Sequence, residues 1–149
     1  METDSRFRDN QKKSQKAAER VFAAQDKFDT AWTKAGCRGC ENEQRYAKLP
    51  ESERYQDCSK KLACHGVRRA YAALQERKEE ERQVRDVYAR QIYETFSKEK
   101  PRLKIRQSGE IISWDDAWDV PFAKMSDITR NQLIALIDED GGKYRLADR

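Results

Sequence analysis

Gly36-Cys37-Arg38-Gly39-Cys40 and Cys58-Ser59-Lys60-Lys61-Leu62-Ala63-Cys64-His65-Gly66, separated by 17 residues, hold all four cysteines, the one histidine and three of the six glycines of the 149-residue chain. The spacing C-x2-C-x17-C-x5-C is a candidate clamp. Gly36 and Gly39 around Cys37 and Cys40 allow a tight turn in which two thiolates converge on one ion. The second pair is harder to close. On a continuous helix, Cys58 and Cys64 would be turned about 120° apart and separated by roughly 9 Å along the axis. Zinc–sulfur bonds of about 2.3 Å cannot span that gap. A structural zinc on Cys37, Cys40, Cys58 and Cys64 therefore requires a break between the last two, with the following helix starting after Gly66. His65 is an alternative fourth ligand. Two nested disulfides, Cys37–Cys64 and Cys40–Cys58, form the rival clamp, and four unlinked cysteines acting as small buried hydrophobes form a third reading. Four protein ligands would leave no open position for a substrate, so a zinc here would be structural and the chain is read as a non-enzyme.

Before this cluster, Ala17, Val21, Ala24, Phe28, Ala31 and Ala35 recur at alternating spacings of four and three, one seam of a helix over Lys12–Ala35 that Gly36 stops. Trp32 widens the stripe. The seam serves packing within the chain or self-association. Residues 1–11 read as polar and frayed, and residues 37–57 as polar without a period. After the cluster, Val67–Ser97 reads as a second helix of about 30 residues. It is apolar at Val67, Ala70 and Leu74 and again at Val84, Tyr88, Ile92 and Phe96. Gln75–Gln83 between them has no apolar residue. That helix should pack at both ends and be wet at its waist, with i,i+4 charge pairs such as Arg77/Glu81 along it. Pro101 closes it.

The tail changes period. Leu103, Ile105 and Ile111 flank the turn Gln107-Ser108-Gly109-Glu110, which predicts a β-hairpin over 102–113. Ser113 to Asp116 has the form of a capping box for a short helix reaching Trp118. Thr129 as N-cap, with Ile128 and Leu133 as a hydrophobic staple, predicts another helix that buries Leu133, Leu136 and Ile137 and ends at Gly141-Gly142. Lys143–Leu146 can return as a third strand. The fold class is mainly α: a long helical hairpin over 12–100 clamped by the cysteines, then a small α+β tail of ββαβ type over 101–149.

Charged residues make up 39% and hydrophobic residues 37% of the chain, a composition of long, narrow-striped helices rather than a large core. No apolar run reaches the length of a membrane span and Met1–Gln15 has no hydrophobic leader segment, so the expected compartment is the cytoplasm. The net charge of +4 is uneven: residues 107–149 hold nine acids and five bases, which leaves +8 on the first 106 residues. Lys100, Arg102, Lys104 and Arg106 alternate with Pro101, Leu103 and Ile105, so a strand would carry the cations on one face. That face is either a phosphate-tracking edge or a solvated outer face that also discourages edge-to-edge aggregation. Lys60, Lys61, Arg68 and Arg69 could extend it beside a zinc knuckle. Trp114 and Trp118 are either core of the tail or an exposed anchor for a protein partner. Asp115, Asp116 and Asp119 read as helix-start charges rather than a carboxylate pair. No Gly-rich phosphate loop is present. Two functions follow from these features: a protein–protein interaction module (adaptor, inhibitor or assembly subunit) with no small-molecule substrate, and alternatively a zinc-containing nucleic-acid-binding regulator.

Overall fold

The computed structural model describes residues 5–56, 62–114, 118–138 and 142–147. The protein is mainly helical, with a small antiparallel sheet near its C-terminus. The helices are α1 (Arg8–Ala35), α2 (Asn42–Ala47), α3 (Leu62–Glu99) and α4 (Asp127–Asp138); the strands are β1 (Leu103–Ile105), β2 (Ile111–Ile112) and β3 (Tyr144–Leu146). Two compact units divide the chain, Gln15–Arg82 and Met1–Ser14 with Gln83–Arg149.

In the unit Gln15–Arg82 the α1 seam works as its spacing predicts. Ala17, Ala24, Phe28 and Ala35 are buried, and Val21, Ala31 and Trp32 pack partly buried around them. Phe28 meets Tyr71 of α3, while Ala31 and Lys34 border the same groove as Leu62 and Ala63, so later residues of α1 face earlier residues of α3 in an antiparallel pair. The seam is thus used for packing within the chain. Gly36 takes φ 72 and stops α1, a left-handed conformation that glycine reaches at little cost.

Residues 37–56 are more structured than their polar composition predicts. Short 3-10 turns at Cys37–Gly39 and Glu51–Glu53 flank α2. Their purpose is to deliver two aromatics. Tyr46 and Tyr55 are buried and stack at 4.8 Å, and Tyr55 lies 5.3 Å from Phe28 and 4.8 Å from Tyr71. Tyr55 sits at φ 64, which costs a non-glycine residue on the order of 1 kcal/mol or more. The four-ring cluster and a hydrogen bond from its hydroxyl to Glu43 Oε1 at 3.1 Å hold it there.

Helix α3 begins at Leu62, so Gly66 lies inside it and the expected start after Gly66 is corrected. The waist Gln75–Gln83 contains no buried residue, as its charge pattern predicts. Ion pairs Arg77–Glu80 and Arg82–Glu79 run along it at i,i+3.

The unit Met1–Ser14 with Gln83–Arg149 has its own core, built from Tyr88, Ala89, Ile92 and Phe96 of α3, Leu103 of β1, Trp118, Phe122, Met125, and Leu133, Leu136 and Ile137 of α4. Residues 5–14 belong to it, so the expected fraying does not hold for residues 5–11, while residues 1–4 lie outside the described residues. Ser5–Phe7 forms a 3-10 turn, and Phe7 is fully buried, edge-on to Phe96 at 5.6 Å. Asn10 donates to Gln91 Oε1 at 2.7 Å, and Gln11 and Tyr88 both donate to Asp138 Oδ1, at 2.9 and 3.0 Å. Burial, reinforced by the Asp138 carboxylate, pushes the Tyr88 hydroxyl far above the usual tyrosine range.

The hairpin β1–β2 and the return strand β3 form as expected, in the order β2-β1-β3 with both pairings antiparallel. Gly109 at φ 73 makes the turn. Helix α4 buries the expected Leu133, Leu136 and Ile137 but starts two residues earlier than Thr129. Ser126 is its cap, accepting the Thr129 N–H at 3.2 Å, and Ile128 is 83% exposed, so the staple is not made. The expected short helix from Ser113 runs across residues 115–117, which lie outside the described residues.

Candidate interaction surfaces

The cysteine cluster is the first candidate. Cys37 is buried against the core of its unit, Cys40 is half-buried after the turn with its N–H on the Cys37 carbonyl at 3.0 Å, and Cys64 is half-buried on the first turns of α3. Cys58 lies outside the described residues, as do Lys60 and Lys61. Among the described residues no three His, Cys, Asp or Glu side chains gather to hold a metal, and no disulfide joins Cys37 to Cys64. His65 is engaged locally: the Arg68 guanidinium donates to its Nδ1 at 3.0 Å, which leaves the ring proton on Nε2 in neutral imidazole.

The second candidate went unread in the sequence. A groove of about 790 Å³ opens between α1 and α3 in the unit Gln15–Arg82. Its lining includes the small residues Ala31, Ala63 and Gly66 and the 89% exposed Leu62, and its charged members among the described residues are Lys27, Lys34, Arg69 and Asp26. A β-carbon added at Gly66 would meet nothing within 4 Å. The signals in the sequence were Ala31 in the α1 seam and Ala63 and Gly66 near the start of α3, small residues from two separate stretches.

No protein-family model matches this chain, and it matches no curated protein and no solved structure.

The basic strand is the third candidate, and the structure changes its membership and its setting. Strand β1 is central rather than an edge, paired with β2 on one side and β3 on the other. The expectation that this stretch is an edge strand is therefore corrected. Lys100 drops out of the row: it takes φ 47 at the end of α3, before Pro101, and its Nζ lies 3.8 Å from Asp119. Arg102, Lys104 and Arg106 keep the alternation, and β3 adds Arg145 directly opposite Lys104. Arg68 and Arg69 belong to the other unit. Trp114 and Trp118 stack edge-on at 5.0 Å; Trp118 is 2% exposed and Trp114 packs partly buried on the same core. Of the two expectations for that pair, core packing is the one formed, and the exposed anchor is corrected.

Among the described residues no helix is long and apolar enough to cross a membrane.

Proposed function

We propose that the chain is a non-enzymatic interaction protein that docks an acidic, amphipathic helix of a protein partner in the groove between α1 and α3. The observation that carries this reading is the pairing of small lining residues, Ala31, Ala63 and Gly66, with three cations and one carboxylate among the described lining residues. Small lining residues let a helix backbone approach closely, and the exposed Leu62 supplies an apolar contact. Amphipathic helices enter such grooves through apolar residues at i, i+3, i+4 and i+7. The charge around the groove selects for acids on the flanks of that stripe and steers encounter more than it adds affinity. An adaptor, an inhibitor and a subunit of a larger assembly all use a groove this way.

Peptide display selection against the purified chain tests the reading, with the Gly66→Phe variant as counter-target. Gly66 lines the groove and a β-carbon there meets nothing within 4 Å, so a phenylalanine at this position is expected to obstruct the groove. Selected sequences should be acidic, carry apolar residues at helical spacing, and lose binding to Gly66→Phe. Selected sequences without acidic bias, or ones that bind Gly66→Phe equally well, would overturn the proposal.

A further inference from the structure

The sheet presents two chemically opposite faces. Leu103, Ile112, Tyr144 and Leu146 lie on the core side. The alternate positions Lys104, Ile111 and Arg145 therefore lie on the outer side, with Arg102 and Arg106 continuing the row along β1. Arg102 and Arg106 flank β1, their backbones still bonded to Ala147 and Lys143, so an extended path sets each about 6.7 Å from Lys104, and Arg145 is one strand spacing, about 4.8 Å, to the side. No ion pair engages Arg102, Lys104, Arg106 or Arg145 among the described residues, and no carboxylate occupies a register position of β1, β2 or β3 on this face.

The register sets Lys104 directly opposite Arg145. Like charges directly opposite in an antiparallel pair destabilise the sheet. An uncharged neighbour is compatible with the position, since Ile111 stands opposite Lys104 on its other side. A local arrangement that costs stability and gains no ion pair among the described residues points to an outside ligand.

We propose that this face binds the phosphate backbone of duplex nucleic acid without reading its sequence. Arginine forks and a lysine in a row match phosphate oxygens. The aromatics of this region, Trp114 and Tyr144, pack on the core side, so the face offers no platform on which unpaired bases could stack. That favours a duplex over a single strand. Ile111, 52% exposed, is the one large apolar residue among the outer register positions, and no aromatic anchor of the kind that dominates protein interfaces accompanies it. That favours nucleic acid over an acidic protein. Contacts confined to phosphates set position and affinity and carry no sequence information.

Fluorescence anisotropy of the full chain with a short labelled duplex, titrated across salt concentrations, tests the proposal. Four phosphate contacts give a slope of log K against log salt near −3.6, about −0.9 for each contact. Arg145→Glu sets a carboxylate opposite Lys104. The melting temperature should rise, duplex affinity should fall by about tenfold or more, and the slope should flatten by about 1.8 as one cation is lost and one is neutralised. Lys104→Gln with Arg106→Gln, which introduces no acid, should flatten the slope by the same amount and keeps the test open if Arg145→Glu does not fold. The proposal is overturned by no duplex binding at low salt, by unchanged affinity and slope in either variant, by tighter binding to single strands than to duplex, or by polyglutamate competing as well as duplex at equal charge.

Discussion

The Tyr71 hydroxyl on α3 donates to the backbone carbonyl of Glu51 at 2.6 Å, and seven residues on, Lys78 Nζ reaches the Glu51 carboxylate at 2.7 Å. One loop residue is thereby held through both its backbone and its side chain by the same face of one helix. This is what gives the polar stretch after Cys40 a defined path: Glu51 is pinned to α3, and Tyr46 and Tyr55 are set against Phe28 and Tyr71.

Phe28→Ala should destabilise the unit Gln15–Arg82 by about 3–5 kcal/mol, because Phe28 contacts both Tyr55 and Tyr71. Tyr71→Phe should cost about 0.5–1.5 kcal/mol through the lost hydrogen bond to Glu51. Trp32 is the only tryptophan in this unit, so urea unfolding of a protein with Trp114 and Trp118 replaced by Phe reads the two changes selectively. Equal and small effects would show that the ring cluster does not hold the unit.

Phe7→Ala should cost the other unit about 3–5 kcal/mol, since the ring is fully buried beside Phe96. Thermal unfolding followed through Trp114 and Trp118, with Trp32 replaced by Phe, measures it. A frayed N-terminus would give no change.

Gly66→Ala should raise stability by about 0.5–1 kcal/mol. The position is helical and a β-carbon there meets nothing within 4 Å, so the substitution removes glycine's entropic cost without a clash. A loss of stability would show that α3 does not begin at Leu62.

Alkaline pH should weaken the fold. Tyr55, Tyr71 and Tyr88 are all raised above the ordinary 10.0, first by burial and then by Glu43, Glu51 and Asp138 respectively. Their contribution is complete below the unfolded value of 10.0 and is lost as pH rises through it, because the unfolded chain releases protons that the folded chain keeps. Glu51 acts in the opposite range. Its hydrogen bond from Lys78 lowers it below 4.5, so its contribution is present above that value and lost as pH falls. Urea midpoints should therefore hold across neutral pH and decline at both ends, and Tyr88→Phe should reduce the alkaline decline.

Much of the fold was legible because burial follows period. The α1 seam, the two apolar ends of α3 and the inward face of α4 follow helical spacings of three and four, and the hairpin at Gly109 follows a spacing of two. Isolated anchors escaped. Phe7 is the one aromatic in its polar segment, and Tyr46 and Tyr55 are set by short turns and a positive φ that leave no periodic trace. The α4 cap was misplaced because Ser126 and Thr129 both fit a capping pattern, and their hydroxyls lie 3.0 Å apart. The sites were less legible than the elements. Alternation revealed three cations of the sheet face, but Arg145 joins them through the β1–β3 register, which lies 41 residues away in a stretch whose net charge is acidic. The α1–α3 groove depends on which small residues meet across two helices, and no local pattern encodes that.

Amide chemical-shift mapping of the full chain with a display-selected acidic peptide tests the docking groove most directly. The account predicts that shifts concentrate at Ala31, Ala63, Gly66 and Arg69 and vanish in Gly66→Phe, while the resonances of β1 and β3 stay still. Shifts centred elsewhere, with these four residues silent, would contradict it.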